Sequence, residues 1–247
     1  MSEVSFTFVG SGDPLGSGGR LQTCFHVAAP SSRFLIDCGA TTMTGLKREG
    51  IDRNAIEAIF VTHLHGDHIG GIPYFILDAQ LIARRTTPLV IAGPPGLEKR
   101  LRDAMDVMFP GLSDVDQRFE IRIVELEPSR PTAIGPVSVT PFEVVHACGD
   151  PPYALRLETD GKTLAYSGDT EWTESLIDVA RDADLFVCES YFYEKEIPNH
   201  LDYRTLLAHR EDLRCDRLVI THMSDDMLSR LPEIELEYAE DGKRIAL

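Results

Sequence analysis

Residues 58–72 read AIFVTHLHGDHIGGI, and this stretch narrows the possible folds more than any other in the chain. His63, His65, Asp67 and His68 fall within six residues, directly behind an apolar, β-rich run. Such a run reads as a strand that stops where the polar groups begin. His63 and His65, two apart on extended backbone, can point the same way. Asp67 and His68 follow Gly66, which lets the chain turn and aim them elsewhere. Four ligands in one turn would crowd a single ion, so the pattern suits two adjacent ions.

Other candidate strands deliver matching residues at their ends. The run 137–145 ends at His146, 163–167 ends in Gly168 and Asp169, and 217–221 ends at His222. If these strands share a sheet edge, the side chains converge. His63, His65 and His146 are then candidates for one ion, and Asp67, His68 and His222 for the other. The Asp169 carboxylate can bridge both. Imidazole and carboxylate with no thiolate suit zinc, with manganese or iron as alternatives. Two divalent metal ions, zinc foremost, are the expected cofactors. Taken singly the same residues read differently. A lone strand-end histidine is usually structural or exposed, as His26 and His209 are expected to be, and Asp169 could cap the helix that follows it. Cys148 is expected to be a small buried residue.

Short β-rich runs alternate with helical patterns along the whole chain. VSFTFVG, CFHVAA, RFLIDCG, PLVIAG, EIRIVEL and DLFVCES are bounded by Gly, Pro, Asp or Ser, and YALRLETDGKTLAYSGD reads as a hairpin turning at Asp-Gly. GPPGLEKRLRDAMDVMF is helical, with Leu97, Leu101, Met105 and Met108 on one face. EWTESLIDVARDAD, DYRTLLAHREDLR and SDDMLSRL are further helices. Antiparallel signals mixed with crossover helices predict an α/β fold of two mixed sheets packed together with helices outside. No linker, low-complexity segment or repeat interrupts the 247 residues, so one domain over 1–247 is expected.

The five cysteines are scattered and never form a CxxC pair, which favours reduced thiols and a cytoplasmic location. No apolar run approaches about 18 residues, so no membrane span is expected. The opening MSEVSFTFVGSGD has no basic stretch ahead of an apolar one, so no secretory leader is expected. The net charge of −16 opposes a long polyanion on average, and no Lys/Arg cluster stands out. Long nucleic acid is therefore disfavoured as a partner. GSGDPLGSGG lacks the third glycine of a dinucleotide fingerprint, since position 15 is Leu15. It reads as a flexible rim loop whose N–H groups could meet a phosphate, or as a plain surface turn.

THLHGDHIGG, followed in order by His146, by Asp169 in SGDT and by His222, resembles the signature of the metallo-β-lactamase superfamily, and FLIDCG resembles its second strand pair. The resemblance implies an αββα sandwich with a dinuclear site on one edge. Within the superfamily the chain looks most like the ribonuclease Z group of phosphodiesterases, through FTFVGSGDP, GPPGLEKRL and AYSGDTEWTESLIDVARDADLFVCES. In that group a histidine beyond the acidic strand acts on the leaving group, and His200 in IPNHLDYRTL occupies the matching place. No segment resembles the group's tRNA-gripping arm, and THMSDDM puts acids after His222. The resemblance also suggests a homodimer.

The expected activity is that of a phosphodiesterase on a small or nucleotide phosphodiester. Two ions would lower the pKa of a shared water whose hydroxide attacks phosphorus in line. Asp67 would orient that hydroxide, and His200 would protonate the leaving oxygen. Glu189 could brace a ligand imidazole from behind, or stand on the rim. The alternatives are hydrolysis of another ester, lactone, thioester or sulfate ester, tRNA 3′ processing, or a metal-bearing sensor without turnover. A redox diiron role fits poorly, because a glutamate usually stands where His65 is.

Overall fold

The computed structural model describes residues 3–247, so Met1 and Ser2 of the opening read for a leader lie outside the described residues. The first sheet contains β1 (Ser5–Gly10), β2 (Cys24–Ala28), β3 (Arg33–Ile36), β4 (Ala58–Phe60), β5 (Leu89–Gly93) and β6 (Ile121–Glu125) in spatial sequence. The second contains β7 (Thr132–Ile134), β8 (Val137–Glu143), β9 (Tyr153–Thr159), β10 (Lys162–Tyr166), β11 (Leu185–Glu189), β12 (Leu218–Thr221) and β13 (Glu237–Tyr238). The last strand, β14 (Arg244–Ala246), returns to the first sheet beside β1. Each sheet is antiparallel in one part and parallel in the other. β3 to β6 are parallel neighbours, and so are β10 to β13.

Parallel neighbours need crossovers, and the helices supply them. α1 (Thr42–Arg48), α2 (Gly66–Ile69), α3 (Ile72–Leu81) and α4 (Leu97–Met108) lie along the first half of the chain. α5 (Ser175–Ala180), α6 (Tyr203–Ala208) and α7 (Asp225–Ser229) lie along the second.

Alternation along the strands explains the layering. Leu164, Tyr166, Leu185 and Val187 face the other sheet, where they meet Phe6, Phe8, Phe25 and Val27. The residues between them, Ala165, Phe186 and Cys188, face outward onto Leu176 and Val179 of α5 and Leu206 of α6. Leu35, Ile59 and Ile91 of the first sheet likewise meet Leu46, Phe75, Leu101 and Met105 from α1, α3 and α4. Strands covered on both faces must be apolar at every position, which is why they read as continuous runs. The result is the expected αββα sandwich of two mixed sheets flanked by helices.

Several details differ from the sequence reading. Met108 is 40% exposed at the end of α4, so the buried face of that helix is Leu97, Leu101 and Met105. The helix expected across EWTESLIDVARDAD is confined to Ser175–Ala180. α3 was not expected. Its sequence IPYFILDAQL is apolar nearly all round, so no helical stripe stands out. The strands β7, β13 and β14 are two or three residues long, and pairing rather than composition defines them.

Candidate metal centre

β9 is antiparallel to both β8 and β10, so β8, β10, β11 and β12 all run the same way and end at one edge. His146 follows β8, Asp169 follows β10, Glu189 ends β11 and His222 follows β12. From the facing sheet, Asp37 follows β3 and His63 follows β4. The backbone N–H of Tyr153 donates to the Thr62 carbonyl (3.0 Å), which ties the two edges together.

Two groups of donors assemble there. In the first, His65 Nδ1 lies 3.2 Å from His63 Nε2 and 3.1 Å from His146 Nε2. In the second, Asp67 Oδ2 lies 3.2 Å from His68 Nε2 and 3.3 Å from His222 Nε2. Asp169 belongs to the second group and reaches the first. Its Oδ1 is 3.3 Å from His68, and its Oδ2 is 3.5 Å from His222, 3.8 Å from His63 and 3.9 Å from His146. The seven residues singled out in the sequence are therefore brought together, divided as the spacing suggests.

Hydrogen bonds outside the groups set the imidazole tautomers. His68 Nδ1–H donates to Asp37 Oδ2 (2.7 Å), and His146 Nδ1–H donates to the Asn199 carbonyl (2.8 Å). The Thr62 hydroxyl gives its proton to Asp37 (2.8 Å), so it accepts from His63 Nδ1–H (3.1 Å). For His63 and His146 this leaves Nε2 with a lone pair aimed inward, the form in which imidazole binds a metal, and His68 takes that form when a cation displaces the Nε2 proton.

Charge points the same way. Burial pushes His63, His65 and His146 down and keeps them neutral. Burial would lower His68 and His222 too, but Asp169 and Asp67 outweigh it and raise both. The same attraction holds Asp67 and Asp169 well below the usual carboxylate range despite their burial. His68 Nε2, Asp169 Oδ1 and His222 Nδ1 are buried without a hydrogen-bond partner. Lone pairs and carboxylates facing one another in a buried space are costly unless positive charge lies between them. The donor set therefore fits divalent cations.

His200 stands beside both groups. One of its ring nitrogens is within 4.8 Å of donor atoms of His146 and Asp169. Its Nδ1 is 3.0 Å from Glu189 Oε2, and its ring stacks on Tyr191 with centroids 4.6 Å apart. Glu189 is fully buried and also accepts from the Thr170 N–H. Burial raises the Glu189 carboxyl and lowers the His200 imidazole. Of the two readings of Glu189, bracing is the one seen, but the imidazole it braces is His200.

Asp37 and Asn199 were missed. Asp37 in FLIDCG obeys the same strand-end rule as Asp169, so the rule could have flagged it. Asn199 acts through a backbone carbonyl, which carries no residue signature. Gly66 is not the required hinge, since a Cβ there would meet nothing within 4 Å. Glycine is required instead at positions such as Gly39 and Gly71. A Cβ on Gly39 would lie 2.2 Å from the Asp67 carbonyl, and one on Gly71 would lie 2.2 Å from the Gly39 carbonyl. The GSGDP loop is pinned rather than free. Asp13 accepts from the Ser17 amide and hydroxyl (2.9 and 2.8 Å), and Asp241 accepts from the Ser11 amide and hydroxyl (2.9 and 2.8 Å). His26 is buried in the first sheet and His209 stacks on Trp172, so neither joins the site.

Known proteins agree with this architecture. The metallo-β-lactamase fold protein YhfI from Bacillus subtilis superposes with a TM-score of 0.77 at 20% identity, covering 99% of this chain and 100% of that one. Human tRNase Z, short form, gives 0.78 at 23% identity, covering 98% of each chain. The ribonuclease Z of Lachnoclostridium phytofermentans is 26% identical over 92% of this chain and 88% of its own. Fold and site together define a metal-dependent hydrolase of the metallo-β-lactamase fold, similar to ribonuclease Z. More narrowly, the chain belongs to the family described as Anti-Pycsar protein Apyc1, which matches residues 4–242.

One expectation is overturned. Relatives named ribonuclease Z align along almost the whole chain, so long nucleic acid is not disfavoured. Net charge sums over the entire surface, whereas an RNA meets only a local field, so −16 was never a sufficient ground. Among the described residues no helix is long and apolar enough to cross a membrane.

Proposed function

We propose that the protein is a phosphodiesterase, with a small or nucleotide phosphodiester as substrate. His63, His65 and His146 would hold one divalent ion and Asp67, His68 and His222 a second, with Asp169 serving both and zinc the best match to the donors. Such ions supply Lewis acidity and a water nucleophile at neutral pH. Asp67 would orient the attacking water as well as ligate. His200, as the imidazolium, would give its Nε2 proton to the departing oxygen and keep its Nδ1–H, which Glu189 accepts and which favours that charged form. The observation that carries the reading is the Glu189–His200 pair beside the two groups of donors (3.0 Å). A phosphodiester has a poor leaving group, which benefits from a proton donor placed next to the ions.

The purified protein should hydrolyse bis(p-nitrophenyl) phosphate, lose that activity on exhaustive chelation and regain it with zinc or manganese. Activity that survives chelation would sink the metal-dependent mechanism. A panel of cyclic and linear nucleotide phosphodiesters, lactones, thioesters and sulfate esters then tests the substrate class. If turnover is confined to carbonyl or sulfate esters, the reading fails. The relatives named ribonuclease Z support a second reading, tRNA 3′ processing, so a tRNA precursor belongs in the same panel.

A further inference from the structure

We propose that Asn199 is a positioning residue that sets His146 and His200 together. The inference rests on the phosphodiesterase reading for the role of His200, but its metal-binding part stands apart from it. Asn199 makes three hydrogen bonds to two other segments of the site. Its backbone carbonyl accepts from His146 Nδ1–H (2.8 Å), its side-chain Oδ1 accepts from the Ala147 N–H (2.8 Å), and its own N–H donates to Glu171 Oε1 (2.7 Å). The Glu171 N–H donates to the Val145 carbonyl (3.0 Å), and the Val145 N–H donates to the Thr170 hydroxyl (3.0 Å). The three segments carrying His146, Asp169 and His200 are thus knotted at one residue.

The carbonyl that holds His146 lies in the same planar peptide unit as the His200 amide. Turning that plane moves the acceptor for one histidine and the backbone of the other at once. The grip on Ala147 fixes the plane from the side-chain end. Asn199 has φ +73°, in the left-handed region that asparagine tolerates better than most residues. The residues before it, Glu194, Lys195 and Glu196, are exposed, and the loop is tied back on either side of them by Tyr193 and by the bonds of Asn199.

Asn199→Gly and Asn199→Asp separate positioning from mere folding. Glycine accepts the backbone angle but loses the hold on Ala147. Aspartate keeps an acceptor there. Zinc is titrated into each metal-free protein against a competing chelator, the metal-free melting midpoint is recorded, and turnover is compared for diesters with p-nitrophenol and phenol leaving groups. Asn199→Gly should weaken zinc binding about 10-fold or more at one of the two sites, with the metal-free midpoint little changed. Its turnover should fall further for phenol than for p-nitrophenol, at similar KM. Asn199→Asp should stay within about threefold of wild type in zinc affinity. Asn199→Gly binding zinc like wild type overturns the proposal, as does a lowered metal-free midpoint with unchanged zinc affinity. If the wild type cleaves no phosphodiester, the functional reading fails while the zinc titration still decides the role of Asn199.

Discussion

Glu237 and Asp169 are both acidic residues of the second sheet, but their charges are balanced in different ways. Glu237, on the edge strand β13, accepts two hydrogen bonds from Arg217 (2.7 and 2.8 Å) and lies 2.7 Å from Lys243. Asp169, at the carboxyl edge, is buried with Asp67, Asp37 and Glu189 nearby, and its ion-pair contacts are with histidines: His63, His68, His146 and His222. The edge carboxylate is neutralised by the protein's own fixed cations. The carboxylates of the site have only imidazoles, whose charge is conditional. A buried group of acids without Arg or Lys is destabilising unless cations arrive from outside. The site is built to be completed by bound cations, whereas the edge pair is completed by folding.

The largest effect should come from removing the carboxylate that reaches both groups of donors. Asp169→Ala should lower turnover of a chromogenic phosphodiester by roughly 1000-fold or more and reduce bound metal per chain, measured by elemental analysis. Turnover within tenfold of wild type would remove Asp169 from the centre of the site.

His200→Ala should follow, and it tests a different part of the contrast. His200 pairs with Glu189 but is proposed to hold no metal, so bound metal should be unchanged. Turnover should fall by roughly 100-fold or more with a phenol leaving group and much less with p-nitrophenol. Equal losses on both would argue against proton donation to the leaving oxygen.

A smaller effect is expected one layer out. Asp37 holds His68 as Asn199 holds His146, but with a carboxylate instead of a carbonyl. Asp37→Asn should weaken zinc at the Asp67–His68–His222 group by about 10- to 100-fold in a competition titration, and by less at the other group, which Asp37 reaches only through Thr62 and His63. Equal weakening of both would show that the path through Thr62 to His63 matters as much as the direct bond to His68.

The layers and the donor set were legible for a common reason. Strands buried on both faces, such as 185–188, are apolar throughout, so the polar residue that ends such a run stands out. His222 stands out in this way, and His146 and Asp169 stand out as polar ends of the alternating strands β8 and β10, at separations of 20 residues or more. What stayed hidden depends on pairing. Asp37 ends a strand in the same way, but its partner His68 is 31 residues away, and nothing in the chain announces the match. Asn199 contributes a carbonyl and an unusual φ, neither of which is a matter of side-chain type. Gly66 sits inside the motif but meets no close neighbour, whereas Gly39 and Gly71 matter because two backbone segments touch.

The smallest effect belongs to the edge pair and serves as the control. Arg217, with Lys243, holds the Glu237 carboxyl at about 2, below its ordinary 4.5. A folded-state value below the unfolded one means that the stabilisation is complete above about 4.5 and is lost as pH falls through about 2. In metal-free protein, Glu237→Gln should lower the melting midpoint by at most about 2–4 °C at pH 6. That gap from wild type should narrow as the pH is taken down towards 3. Adding zinc at pH 6 should raise both midpoints and leave the gap unchanged, because the pair carries its own cations. A gap that stays constant with falling pH would mean that packing, not charge, holds the edge. A gap that changes with zinc would couple the edge to the site and break the distinction between them.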